Sequence, residues 1–298
     1  MRQTIEFTKL SGSGNDFVVI DDRDDAFRSL LAEARRVGRF ARRLCDRHQG
    51  VGADGVIFAC RNELPGAAHI GARFFEADGS EAALCGNGVA CLTRWAIDRR
   101  VGPDGDVTIL TSAGTVVGEP REGGYVRVCI PSPESITPDV EVHVDDLPIW
   151  CDYAMTGVPH LAVYVHDVAK ADVAHLGPAL RHHERFAPRG VNVNFVQVLR
   201  PGELAVRTWE YGVEGETMAC GTGAASAAIL AAQRFAWPEE FSRHERAVLV
   251  RARSGDVLRV YFAQAGDCSI TDVCVETVVR RLFAGTLCDD LAAAATGA

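Results

Sequence analysis

The sequence predicts an α/β (α+β) fold of two similar, pseudo-symmetric domains that face each other across a cleft. Strand-like and helix-like segments alternate along the chain, and one motif occurs once in each half. The 298 residues suffice for two domains of ordinary size. The 47% hydrophobic and 24% charged content leaves enough apolar side chains for a sizeable core in each.

Segments 5–9 and 17–21 read as strands around the turn Ser11-Gly12-Ser13-Gly14. Segment 27–46 reads as a helix, with Ala, Leu and Arg and apolar residues at helical spacing. Strands are predicted at 56–60, 70–76, 107–110, 114–118 and 126–130, with a helix at 84–98. Segment 130–148 holds four prolines and five acids, and reads as a linker with a short strand or two. The pattern then restarts, with strands at 161–165, 193–199 and 204–209. A strongly alanine-rich helix follows at 218–235, then strands at 247–252, 257–263 and 269–275. The expected domains are 1–130 and 149–275, with 131–148 as the linker and a strand at 276–288 returning to the first domain. The Ala-rich tail beyond Cys288 is expected to fray.

The repeat aligns Ser80-Glu81-Ala82-Ala83-Leu84-Cys85-Gly86-Asn87-Gly88 with Gly215-Glu216-Thr217-Met218-Ala219-Cys220-Gly221-Thr222-Gly223. Each copy reads Glu, three residues, Cys-Gly-x-Gly, then a helix of small residues. A second acid lies upstream in each, Glu76 and Glu210. Glycines let backbone amides approach a ligand. The helix that follows offers unpaired N–H groups and a positive dipole end, where a carboxylate can dock. A helix N-terminus can also draw a thiol pKa from about 8.5 to roughly 3.5–7.5. Two such thiols on opposite sides of one small anion suit inversion of an α-carbon, which needs a base on one face and an acid on the other. Donors aimed at the carboxylate in a dry cleft would stabilise the enediolate-like charge.

Other function classes fit less well. A net charge of -9 speaks against nucleic acid. No apolar run of about 18 residues predicts a membrane helix, and the opening residues have no apolar signal region. The ten cysteines are scattered without a disulfide framework, so a reduced, cytoplasmic setting is expected. No Cys-x-x-Cys pair or His pair with ligand spacing exists, so no metal is expected. Lys9 and Lys170 are the only lysines, and neither is compelling for a pyridoxal Schiff base; no cofactor is expected. Cys45, Cys60, Cys91, Cys129, Cys151, Cys268, Cys274 and Cys288 read as inert small hydrophobes. Gly50-Val51-Gly52-Ala53-Asp54-Gly55 matches G-x-G-x-x-G, but a helix precedes it and a strand follows, so it reads as a structural turn.

From Phe7 to about Leu287 the chain resembles the diaminopimelate epimerase family. The matching stretches include Lys9-Leu10-Ser11-Gly12-Ser13-Gly14-Asn15-Asp16-Phe17 and Cys45-Asp46-Arg47-His48-Gln49-Gly50-Val51-Gly52-Ala53-Asp54-Gly55. Ala77-Asp78-Gly79-Ser80-Glu81, Pro159-His160, Leu176-Gly177-Pro178, Asn192-Val193 and both Cys-Gly-x-Gly units match as well. The resemblance implies two domains, each a mixed sheet wrapped around a central helix, with the site between them. It implies that Cys85 and Cys220 are the catalytic thiols and that His160 and Glu210 help set their protonation. Gly86, Asn87, Gly88, Gly221, Thr222 and Gly223 would hold the α-carboxylate, and Asn15 and Asn192 would line the pocket.

Three positions depart from the family pattern: Glu76 replaces Asn before Ala-Asp-Gly-Ser, Val158 replaces Asn in Gly-Asn-Pro-His, and Tyr211 replaces Arg in Glu-Arg-Gly. One residue is inserted in Gly212-Val213-Glu214-Gly215. In the family those positions hold the distal carboxylate of diaminopimelate, for which an arginine fork is the natural partner. The expected substrate is therefore a cationic amino acid (2,4-diaminobutyrate, ornithine, lysine or histidine), with diaminopimelate itself as the alternative. A proline or hydroxyproline racemase and a non-catalytic binding protein are the lower alternatives. The expected partners are the amino-acid substrate and a second copy of the chain.

Overall fold

The computed structural model describes residues 5–62, 68–102 and 105–288. The chain divides into two compact units, Met1–Val128 with Val278–Ala298, and Cys129–Thr277.

The first unit contains β1 (Glu6–Gly12), β2 (Asn15–Asp22), α1 (Arg28–Leu31), α2 (Ala34–Cys45), β3 (Gly55–Cys60), β4 (Ile70–Glu76), β5 (Glu81–Ala82), α3 (Gly86–Asp98), β6 (Val107–Thr111), β7 (Gly114–Pro120) and β8 (Tyr125–Cys129). Its pairings run β1 antiparallel to β2, β2 parallel to β3, β3 antiparallel to β4, β4 parallel to β6, then β6, β7 and β8 antiparallel. The sheet wraps α3, which packs against β1, β2, β3, β6 and β7. Val89, Ala90, Leu92, Trp95 and Ala96 of that helix are buried with Leu10, Ile57, Phe74 and Ile109 from the strands. A helix apolar on most sides needs such a wrapping. A second cluster covers the other side of β3, where Val37, Phe40, Ala41 and Leu44 of α2 meet Phe58 and Phe75.

The second unit contains β9 (Ser135–Val144), β10 (Leu147–Thr156), β11 (Val158–Tyr164), α4 (Val173–Arg181), β12 (Asn192–Arg200), β13 (Glu203–Glu210), β14 (Gly215–Thr217), α5 (Gly221–Arg234), β15 (Val248–Arg251), β16 (Val257–Gln264) and the first part of β17 (Ile270–Thr286). From β10 onward the pairings repeat those of the first unit. β10 is antiparallel to β11, β11 parallel to β12, β12 antiparallel to β13, β13 parallel to β15, then β15, β16 and β17 antiparallel. α5 takes the place of α3, packed against β10 to β13, β15 and β16. The repeat seen as a short motif therefore extends over a whole mixed sheet and its central helix. The later residues of β17 pair antiparallel with β1, Val279 opposite Gly12 and Thr286 opposite Glu6.

Several elements differ from the sequence expectation. The helix expected at 27–46 is interrupted, ending at Leu31 and restarting at Ala34. The segment expected as a linker holds β9 and the start of β10, two ten-residue strands in a hairpin. Its turn is Asp145-Asp146, both at positive φ (52° and 61°), a pair that suits a two-residue hairpin. The alternation was present, since Val140, Val142 and Val144 point inward; prolines at 138 and 148 obscured it. α4 was not expected. Cys129 and Cys274, read as separate inert thiols, form a disulfide across a sequence separation of 145 residues. Linear spacing carries no trace of that proximity. The Gly50–Gly55 stretch is the structural turn expected: the N–H groups of Val51 and Gly52 both bond to the Leu44 carbonyl at the end of α2.

Backbone packs directly on backbone where α2 meets the turn after β4. A Cβ on Gly38 would lie 2.7 Å from the Gly79 carbonyl oxygen, and a Cβ on Gly79 would press on the Gly38 carbonyl. Gly79 also has φ +85°. Gly79→Ala is expected to cost about 1–3 kcal/mol through overpacking and the left-handed backbone. Urea unfolding should show a lower midpoint at unchanged m-value; an unshifted midpoint would mean that the turn relaxes freely.

Candidate active site

Each unit gathers its candidate residues at one end of its sheet. In the first, Asn15 opens β2 opposite Gly12, Glu76 closes β4, and Cys85 precedes α3. A Cβ on Gly12 would lie 3.2 Å from the Asn87 carbonyl, so the Asn15 turn abuts the first turn of α3. In the second, Val158 opens β11, Asn192 opens β12, Glu210 closes β13, Tyr211 follows it, and Cys220 precedes α5. His160 lies in register with Asn192.

The two cysteines occupy equivalent positions. Cys85 is the N-cap of α3 with φ −135°, ψ 114°, and Cys220 is the N-cap of α5 with φ −119°, ψ 115°. The Cys220 sulfur accepts the N–H of Gly223 at 3.3 Å and lies 3.5 Å from the Thr222 hydroxyl. A thiol thus caps a helix whose first N–H groups have no partner within the helix. Neighbouring cysteines are chemically quieter. Burial, with the charges of Asp54 and Asp16, pushes Cys45 up to about 12, and burial pushes fully enclosed Cys91 well above the usual thiol value.

The glycines divide into two roles. Gly86 has open space where a Cβ would stand, as approach to a ligand requires. Gly88 and Gly223 are also packing positions. A Cβ at Gly88 would meet the Phe74 ring at 3.0 Å, and one at Gly223 would collide with the Asn194 side chain.

The glutamates of the repeat, Glu81 and Glu216, anchor the short strands that lead to the cysteines. Arg73 on β4 grips Glu81 with two bonds of 2.7 and 2.8 Å, and Arg207 on β13 grips Glu216 with two of 2.6 and 2.8 Å. Such fork-to-fork pairs fix geometry as well as charge. Arg73 and Arg207 escaped the sequence reading, although they occupy matching strands and could have been aligned with the repeat.

A charged network holds the Asn15 turn. Asp16 pairs with Lys9 at 2.7 Å and Arg47 at 3.0 Å, and Arg47 also pairs with Asp54 at 2.7 Å. Burial opposes ionisation of Asp16, but the hydrogen bonds from Arg47 and Lys9 outweigh it and lower its pKa.

In the second unit, Asn192 is 3% exposed and ties strand ends together. Its Oδ1 accepts the Tyr211 N–H at 2.7 Å and its Nδ2 donates to the Pro159 carbonyl at 3.1 Å. This supports the backbone around Val158, His160 and Tyr211. His160 is completely buried, and burial pushes its pKa down to about 3, so the ring is neutral. The Arg181 guanidinium lies 4.3 Å from the Tyr211 ring centroid and pairs with Glu214 at 2.8 Å. Glu214, in the inserted loop, also accepts from Gly212 N–H at 3.1 Å. A cation thus stands beside Tyr211 although the local motif lacks one; only folding shows it, because Arg181 comes from α4.

The family model described as diaminopimelate epimerase matches residues 7–129 and 153–266. This chain belongs to the diaminopimelate epimerase family. It is 40% identical over 290 residues to the diaminopimelate epimerase of Aquifex aeolicus, covering 96% of this chain and 99% of that one. To that of a Hydrogenobaculum species it is 39% identical over 227 residues, covering 74% and 80%. The fold is shared with a PhzF-family phenazine biosynthesis protein of Bacillus anthracis, at TM-score 0.71 and 16% identity over 96% of this chain and 99% of that one. It is shared also with a hydroxyproline epimerase of Agrobacterium vitis, at TM-score 0.66 and 15% identity over 96% and 92%. The family member described here is an isomerase of the racemase and epimerase class.

Glu76 gives a pH test of its environment. Burial, then the charges of Asp78 and Asp54, raises its pKa above the ordinary 4.5. A folded pKa above the unfolded one means that the native state holds the proton longer, so stability falls as pH rises from about the ordinary value through the folded one. Glu76→Gln should match the parent below that window and exceed it in stability above. Urea titrations at several pH values check this; a variant less stable at neutral pH would show that a cation compensates the charge.

Proposed function

We propose that this chain inverts one α-carbon of diaminopimelate, with Cys85 and Cys220 as the acid and base. The observation that carries the chemistry is the matched placement of both cysteines as N-caps of the two central helices. One sulfur, as thiolate, takes the α-proton; the other, as thiol, delivers its proton to the opposite face. The proton count balances, and the thiol and thiolate exchange roles with each turnover. The N–H groups at the helix starts suit the α-carboxylate and the charge that grows on it. Asn15, Asn87 and Thr222 remain the polar candidates around it, and Glu210 is the candidate that helps set thiol protonation. Thiols at Cys85 and Cys220 call for a reducing compartment, so we place the enzyme in the cytoplasm, although Cys129 and Cys274 are joined by a disulfide.

For the substrate, the relatives' names favour diaminopimelate over the cationic amino acids expected from the motif departures. One observation weakens that expectation: Arg181 returns a positive charge to the neighbourhood of Tyr211. A cationic substrate stays the second reading because Glu214 already occupies the Arg181 guanidinium.

Cys85→Ala and Cys220→Ala should each lower epimerisation by roughly 100- to 10,000-fold, the range for loss of a general acid or base. Cys91→Ala should retain most activity. Two cysteine variants turning over at parental rate would refute the thiol pair. Substrate choice is read from kcat/KM for LL-diaminopimelate against L-2,4-diaminobutyrate, L-ornithine, L-lysine and L-histidine. The highest value should belong to diaminopimelate; turnover of the cationic amino acids alone would establish the second reading.

A further inference from the structure

Asn194, the third residue of β12, is fully buried beside His160. Its Nδ2 lies 2.8 Å from the Leu161 carbonyl oxygen and 3.3 Å from His160 Nδ1. Its Oδ1 accepts the Thr208 hydroxyl at 2.9 Å, from the residue directly across on β13. A backbone carbonyl can only accept, so the amide atom facing Leu161 must be the nitrogen, and the amide cannot be flipped without setting two oxygens together. The same nitrogen faces His160 Nδ1, which must therefore present a lone pair. A neutral imidazole carries one N–H, so the proton is on Nε2. His160 Nε2 is buried and has no hydrogen-bond partner among the described residues. Buried N–H groups are nearly always paired, and the exceptions call for an explanation. Asn194 also packs against Gly223, whose N–H bonds to the Cys220 sulfur.

We propose that Asn194 is a positioning residue that locks His160 in the Nε2–H tautomer, so that His160 serves the reaction as a hydrogen-bond donor to negative charge and not as a base. The lock itself follows from the strand geometry; the donor role rests on the thiol reading above. Thr208 and the Leu161 carbonyl hold the amide, the amide holds Nδ1, and the N–H left on the far side of the ring is kept for an anion that forms during turnover.

The test uses the full-length chain with 15N-labelled histidine, His160 being assigned by the signal lost in His160→Gln. The parent should show Nδ1 as an unprotonated nitrogen and Nε2 as a protonated one. In Asn194→Asp an oxygen replaces the Nδ2 donor, protonated towards the Leu161 carbonyl and offering His160 only a lone pair, so the ring proton should move to Nδ1. kcat should then fall roughly 100-fold or more, as for a lost hydrogen-bond donor to developing charge, while KM changes little. A parent with Nδ1 protonated overturns the lock, whether or not the variant folds. An Asn194→Asp protein that keeps Nε2–H overturns it too. A switched tautomer at unchanged kcat overturns the donor role. The expected parental tautomer in a protein that epimerises no amino acid would leave the lock standing and remove the thiol reading instead.

Discussion

The architecture of each unit depends on enclosing one central helix. α5 is built largely of alanine, and residues Gly223 to Ala232 are all buried. Small side chains let strands close on every side of it, and the apolar surface removed from water is the main driving force for the wrapping. Such a helix cannot end in apolar surroundings at its N-terminus, because its first N–H groups would go unpaired. At that end each unit places Cys-Gly-x-Gly. The cysteines are thus located by the same constraint that shapes the core.

Around the helix starts, polar side chains bond to other groups of the protein. Asn192 joins Pro159 to Tyr211, and the forks of Arg73 and Arg207 fasten the strands before Cys85 and Cys220. Each bond contributes modestly to stability, but together they fix the angles at which the helices begin. The Asn194 amide belongs to the same scheme, and differs in that its second contact is a side chain that can carry a proton.

Charge at the positions that depart from the family motif is set by folding in a way that the motif does not convey. Tyr211 replaces the local arginine, yet Arg181 lies against its ring; Glu214 in the insertion balances that charge. Glu76 adds an acid, yet Asp54 and Asp78 and its burial hold back its ionisation. In each unit the motif position alone therefore does not give the local charge, because folding sets other charged side chains beside it.

The sequence by itself determined the two-domain α/β plan, the central helices and the paired cysteines, because apolar periodicity and a repeated glycine motif are local signals. It also determined that the Gly50–Gly55 run is a turn, since the order of helix and strand around it can be read directly. The β9–β10 hairpin was legible in the alternation of Val140, Val142 and Val144, but flanking prolines masked it. Only the tertiary structure decided the Cys129–Cys274 bond, the Arg181–Tyr211 contact and the Asn194–His160 contact. Each joins residues from different elements whose approach depends on strand register and helix placement, and no spacing along the chain encodes that approach.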